Sequence, residues 1–312
     1  MTGTTQTDAL QQIAAAARGR FVIPAEEVRQ LQQAAGCSMD TLLLSILDEA
    51  AQEARPLISN YKVGAVGLGG SGAVYIGCNL EMPGNALNQS VHGEQFLLAN
   101  LLLHQERVLQ SLAISAAPCG HCRQFYSELA CADRVRFVFG YRGHDEPEVF
   151  GLAQLLPARF GPLDLLEDPS APLLLEQQQH SLAWTAAAQE VLQQRGNDQG
   201  FQRAAEAALQ AARASYSPYT HCPSGVALVT SSSGVAAGGY IESAAHNPGL
   251  PPLQAAVVGG IVGGCLPSYD QILEVVLVEV LAAPVQHARI TKAVAASFSE
   301  DVRVTVLHVT RQ

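Results

Sequence analysis

Apolar residues spaced three or four apart predict helices over residues 9–17, over 25–35 behind Pro24, and over a longer stretch that starts after Ser38. From about Ile58 the period shortens. Strands are predicted over 63–67 and 74–79, with the turn-forming Gly69-Gly70-Ser71-Gly72 between them. A helix follows over 90–103 and a strand over 111–117. Pro118 then opens a second helix, where a missing N–H costs nothing, and another strand is predicted over 135–139.

The same order returns further along: a helix over 202–214, strands over 226–230 and 235–241 flanking Ser231-Ser232-Ser233-Gly234, a helix over 253–262, and strands over 275–283 and 302–306. Particular residues correspond. Ser59-Asn60-Tyr61 resembles Ser217-Pro218-Tyr219, and Gly77-Cys78-Asn79-Leu80-Glu81 resembles Gly238-Gly239-Tyr240-Ile241-Glu242. Ala117-Pro118-Cys119-Gly120-His121-Cys122 resembles Ala283-Pro284-Val285-Gln286-His287-Ala288. This is the signature of an internal duplication. The expected organisation is a small helical domain over 1–47, a first α/β copy over 48–150, a linker over 151–185 and a second copy over 186–312.

Only the first copy carries chemistry. His92-Gly93-Glu94 and Pro118-Cys119-Gly120-His121-Cys122 form the pattern H-x-E…P-C-x-x-C of the zinc-dependent base and nucleoside deaminases. Zinc takes imidazole and thiolates in tetrahedral geometry, and a catalytic zinc keeps one position open. His92, Cys119 and Cys122 supply three ligands, and no fourth of the same kind lies nearby in sequence. Glu94, two residues after the histidine, is placed to work on a water without binding the metal. The cysteines, three apart, share a face of a helix start, whose positive end favours thiolates. His121 is expected to point away from that face, and His104 and His144 are expected on the surface. In the second copy Val285 and Ala288 replace the cysteines, and residues 250–264 contain no His, Glu or Cys.

Composition narrows the choice. Of the 312 residues 48% are hydrophobic, enough for a sizeable core, and the net charge is −10. An acidic chain with no Lys/Arg cluster does not match a protein that gains affinity by neutralising phosphates, so no nucleic-acid partner is expected. Cys37, Cys78, Cys131, Cys222 and Cys265 are scattered as reduced thiols usually are, which points to the cytoplasm. Neither a signal peptide nor a membrane span is read from the pattern, and the apolar run 253–266 is expected to be a buried helix.

With these residues in view, the chain resembles the two-domain, dimeric cytidine deaminases of bacteria and plants. The likeness runs through Asn79-Leu80-Glu81, residues 88–95 and 118–124, Phe160-Gly161-Pro162 in the linker, residues 223–228, and Leu250-Pro251-Pro252-Leu253-Gln254. It implies a three-layer α/β/α fold with a mixed five-stranded sheet in each copy, preceded by a small helical domain. It also implies one zinc ion per subunit, a homodimer, and hydrolysis of cytidine and deoxycytidine to uridine and deoxyuridine with release of ammonia, as in pyrimidine salvage. His92, Cys119 and Cys122 resemble the zinc ligands and Glu94 the proton shuttle. Asn79-Leu80-Glu81 resembles the sugar-binding segment, with Asn79 and Glu81 on the ribose 3′-hydroxyl. Tyr61 stands where the family has phenylalanine beside the pyrimidine, and Phe160 matches a linker aromatic near the substrate. Gly93 departs from the usual alanine, and His246 from an aromatic residue in the silent copy.

Two other readings stay in competition. A deaminase acting on a polynucleotide or nucleotide would keep the zinc chemistry, but would call for basic residues that the acidic balance and Glu81 do not supply. A zinc-stabilised scaffold would call for a fourth protein ligand.

Overall fold

Ser38 starts the third N-terminal helix by accepting the N–H of Thr41 on its Oγ at 3.1 Å, which satisfies one of the orphan donors of a helix start. Three helices precede β2: α1 (Gly3–Ala17), α2 (Ala25–Ala35) and α3 (Met39–Gln52). The computed structural model describes residues 3–140 and 147–312; His144 lies outside the described residues. They form two units, the first running to Glu81 and from Val91 to Gly161, the second taking Met82–Ser90 and Pro162–Gln312.

The first unit holds β1 (Val22–Ile23), β2 (Gly64–Gly69), β3 (Val74–Cys78), α4 (Gly93–Leu103), β4 (Leu109–Ile114), α5 (Gly120–Phe125), β5 (Arg136–Phe139), β6 (Glu148–Gly151) and α6 (Leu152–Leu155). The sheet order is β1-β3-β2-β4-β5-β6. Only β4 and β5 run parallel, and such a pair needs a crossover, which α5 supplies. The side-chain alternation of the strands makes the layers. Val66, Leu68, Val74 and Ile76 join one core cluster with Ile13, Ala17, Val28, Leu42, Leu43 and Ile46 from the N-terminal helices. The N-terminal helices, expected within a domain of their own over 1–47, thus share that core through residues 10–47. The opposite face carries α4, buried nearly all round from Gly93 to Leu101.

The second unit repeats the plan with β7 (Leu182–Trp184), α7 (Ala186–Gln194), α8 (Gln199–Arg213), β8 (Ser224–Thr230), β9 (Val235–Gly239), α9 (Pro252–Val262), β10 (Ile272–Val280), α10 (Ala288–Ala295) and β11 (Arg303–Arg311). Its five strands lie in the order β7-β11-β10-β8-β9, again with one parallel pair, β10 and β11. Asp198 caps α8 through the N–H of Phe201. The small residues Ala204, Ala205, Ala208 and Ala212 let that helix lie close on the sheet, in one cluster with Ala227, Val276, Val278 and Leu307. The mixed α/β/α fold and its duplication are as expected; the first sheet has six strands because residues 22–23 add an edge. The apolar run at 253–266 is mostly the buried α9.

Two expectations need correction. Pro118 does not open the second helix: Cys119 is its N-cap and the helix begins at Gly120. Ser59-Asn60-Tyr61 does not match Ser217-Pro218-Tyr219. Backbone bridges pair Arg55 with Leu80 and Tyr216 with Ile241, which sets Ser59-Asn60-Tyr61 against Thr220-His221-Cys222. Each turn closes with the same bond, Asn60 N–H to the Pro56 carbonyl and His221 N–H to the Ser217 carbonyl. Each also carries one left-handed residue, Asn60 at φ 59° and His221 at φ 52°. Backbone bonding decides the register; the shared Ser-x-Tyr letters do not.

Candidate metal centre and active site

His92 and Cys119 are the N-caps of α4 and α5, and Cys122 lies in the first turn of α5. Two helix starts therefore meet head to head. His92 Nδ1 is 3.5 Å from Cys119 Sγ and 3.4 Å from Cys122 Sγ. Tetrahedral zinc with ordinary bond lengths sets a sulfur and a nitrogen ligand ~3.6 Å apart, so the donor set and its spacing fit that ion. Among the described residues this metal-compatible cluster has three members, all their donor atoms within 4.8 Å of one another. Hydrogen bonds from Cys122 and His92 pull the Cys119 thiol down to about 3 against its burial, while the bond to Cys119 and burial push the Cys122 thiol up. The bond to Cys119 raises His92 against its own burial.

Glu94 is 4% exposed in the first turn of α4. Burial pushes its carboxyl up, and His92 draws it partly back. Three neighbours hold this geometry. Gln95 Oε1 accepts the His92 N–H at 3.0 Å, a capping contact that the sequence reading missed and that its place three residues after His92 could have signalled. The fully buried Tyr126 donates its hydroxyl to the Glu94 carbonyl at 3.3 Å. Arg123 donates to the carbonyls of Pro118 and Leu155, both at 2.8 Å. Nothing in the sequence pattern singled out Tyr126 or Arg123, because both act through backbone carbonyls brought near by folding.

The remaining expected residues divide. Gln124, on α5, donates to the Phe160 carbonyl at 2.5 Å, tying that half-exposed aromatic to the cysteine helix. Tyr61 is 62% exposed on the turn before β2. Leu80 is fully buried, and its backbone pairs with Val91 in both directions at 2.8 Å. Asn79 bonds the backbone: its Oδ1 accepts Val63 N–H at 2.8 Å and its Nδ2 donates to the Tyr61 carbonyl at 2.9 Å. Glu81 Oε2 accepts the N–H groups of Ile58 and Ser59 at 2.7 and 2.9 Å. His121 departs from expectation: its ring lies 5.2 Å from the His92 ring, because a residue between the two cysteines at a helix start still faces the helix end opposite. His104 is exposed as expected. His246 is exposed too, at a left-handed φ of 62°.

Three nitrogen and sulfur donors, with a buried carboxyl at their edge and no fourth protein ligand among the described residues, define the class of a hydrolytic zinc enzyme. Models of the cytidine and deoxycytidylate deaminase zinc-binding region match residues 38–139 and 152–292. Cytidine deaminase 1 of Arabidopsis thaliana is 38% identical over 296 residues, 92% of this chain and 97% of that protein. Cytidine deaminase 6 of the same plant is 41% identical over 243 residues, 76% of this chain and 81% of that protein. A crystal structure of cytidine deaminase from Burkholderia pseudomallei is 27% identical and covers 38% of this chain and 96% of that chain, with a TM-score of 0.33. The chain belongs to the cytidine and deoxycytidylate deaminase family.

Proposed function

We propose that the protein hydrolyses cytidine and deoxycytidine to uridine and deoxyuridine, releasing ammonia, with one zinc ion per subunit held by His92, Cys119 and Cys122. The observation that carries this reading is the three-donor cluster with the buried Glu94 carboxyl two residues from its histidine. Zinc, when bound, supplies a Lewis acid that brings the pKa of water from about 15.7 towards about 7. Glu94 takes the proton of the attacking water and hands it to the ring nitrogen N3, then carries the proton of the new C4 hydroxyl to the amine, so that the C4–N bond breaks, ammonia leaves and the C4 carbonyl forms. Burial raises its carboxyl towards working pH, which suits a group that must both accept and donate. Tyr61 and Phe160 flank the pyrimidine, and the Asn79-Leu80-Glu81 segment serves the sugar.

The finer assignments follow from the same reading. A homodimer suits the exposed Leu57, Ile58 and Tyr61 on a single turn, and sedimentation of the purified protein tests it. Seven free cysteines suit a reducing compartment such as the cytoplasm.

The decisive experiment follows ammonia release and the ultraviolet change on cytidine, deoxycytidine, CMP and adenosine, before and after chelation. Turnover of both pyrimidine nucleosides, lost on chelation and restored by zinc, is expected. A zinc-loaded protein that leaves cytidine intact overturns the proposal.

A further inference from the structure

Glu81 lies among the residues assigned to the sugar, yet one of its oxygens is already committed to the chain. The carboxylate is 6% exposed. Its Oε2 accepts the N–H groups of Ile58 and Ser59, and the Ser59 side chain also bonds it. Ser59 Oγ in turn accepts the N–H of Tyr61 at 3.1 Å. The carbonyl of Tyr61 is held from the other side by Asn79 Nδ2. The backbone of Tyr61 is thus fixed at both its polar groups by a relay that begins at Glu81 and Asn79.

The second unit supplies a natural control. Glu242, the counterpart of Glu81, accepts the N–H groups of Tyr219 and Thr220 at 2.9 and 3.2 Å, and the Thr220 hydroxyl on its other oxygen. Thr220 Oγ1 then accepts the N–H of Cys222 at 3.2 Å. This is the same relay, link for link, in a copy that lacks the cysteines and the His-x-Glu. Asn79 is not repeated; Tyr240 stands in its place. A carboxylate that survives where the metal residues do not is required by the turn.

Resting on the cytidine reading above, we propose that Glu81 is a positioning residue: through Ser59 it sets the turn that presents the Tyr61 ring to the pyrimidine, whatever else its second oxygen touches. The relay needs an acceptor at this site and not a charge. Gln can supply the acceptor through its carbonyl oxygen, whereas Ala cannot.

The test compares Glu81→Ala, Glu81→Gln and Glu242→Ala with the wild-type holoenzyme. Kinetics are measured on cytidine and on 3′-deoxycytidine, which offers no 3′-hydroxyl. Expected for Glu81→Ala is a fall in kcat/KM of tenfold or more on both substrates, carried mainly by KM, with zinc content kept. Glu81→Gln is expected to recover most of the loss on 3′-deoxycytidine. An undiminished kcat/KM of Glu81→Ala on 3′-deoxycytidine, with loss confined to cytidine, overturns the proposal, because the carboxylate then acts only by touching the hydroxyl. Amide hydrogen exchange gives a readout independent of turnover. Residues 58, 59 and 61 should exchange at least tenfold faster in Glu81→Ala, and residues 219, 220 and 222 in Glu242→Ala. Unchanged exchange overturns the relay even if the protein has no activity on cytidine, whereas a wild type inert towards cytidine with accelerated exchange in the variants overturns only the assigned reaction.

Discussion

A Cβ placed on Gly77 would lie 2.4 Å from the carbonyl oxygen of Gly93. No real side chain tolerates that approach, so glycine alone lets β3 run this close beneath the first turn of α4. The second unit has the same contact, where a Cβ on Gly238 would lie 2.2 Å from the carbonyl carbon of Ala255. In the first unit His92 caps this turn and Glu94 lies in it, so the spacing between sheet and helix sets where the proposed ligand and the proposed proton carrier stand.

Gly77→Ala is therefore expected to push α4 outward. The cost in stability should be about 1–3 kcal/mol, as for other overpacked cores, and zinc content should fall with it. Gly238→Ala should lose comparable stability and keep its zinc. Urea unfolding and metal analysis of both variants check the contrast; full zinc occupancy in a destabilised Gly77→Ala would mean the spacing does not place the ligands.

Gly93→Ala should behave in the opposite way. The atoms nearest a Cβ there are Val63 Cγ1 at 3.3 Å, the Val63 carbonyl oxygen at 3.5 Å and Ala65 Cβ at 3.7 Å, so a small shift of one methyl accommodates it. Removing a glycine from a helix is worth about 0.5–1 kcal/mol. Expected are a thermal midpoint equal to or above wild type and unchanged zinc content; a loss of either contradicts the packing.

Glu94→Gln keeps the shape of the side chain and removes its proton chemistry. Turnover of cytidine should drop by about 10²–10⁴, the usual worth of a positioned acid–base group. Zinc content and substrate affinity, read by metal analysis and equilibrium dialysis, should stay near wild type. Normal turnover would remove Glu94 from its role.

His287 gives the fold a pH dependence away from the metal. Its ring packs edge-on to Tyr240 at 4.4 Å, its Nε2 has no hydrogen-bond partner among the described residues, and burial lowers it to about 4. Its backbone N–H bonds Glu279, which lies 3.8 Å from His308. In the unfolded chain this histidine protonates near pH ~6.5, so protonation favours unfolding. Its contribution should be fully present above that pH and decline as pH falls towards about 4, at up to ~1.4 kcal/mol per pH unit. His287→Phe keeps the ring contact without the titration. The difference in urea midpoint between wild type and variant should stay level from pH 7.5 to about 6.5 and then move against wild type down to pH 4.5; a difference constant over the whole range refutes it.

Much of this was legible beforehand because it is local. Helices α2 and α3 follow from apolar spacing and from Pro24 and Ser38. The metal residues follow from a spacing that only two helix starts explain. The parts that escaped are non-local. The two-residue edge strand at 22–23 is too short to show a period and is held by its pairing with β3; the amphipathic helix over 288–295 carries a clear apolar face and was missed all the same. His121 was misplaced because spacing along one helix says nothing of the helix end that faces it. The match of Ser59 with Ser217 failed because letters were compared where backbone bonds set the register.

The sequence by itself determined which atoms are on offer: an imidazole, two thiols and a carboxyl in one copy, and none of the four in the other. It also determined most of the strands and helices, since the period of apolar residues is a property of consecutive positions. Only the tertiary structure decided that Glu81 and Asn79 spend hydrogen bonds on residues 58–63, that Tyr126 steadies Glu94, and that the N–H relay of one copy is repeated in the other. These are contacts between residues 16 to 32 positions apart in the cases of Asn79 to Val63 and Tyr126 to Glu94, and a hydrogen bond is specified by where two groups meet in space, which no periodicity along the chain encodes.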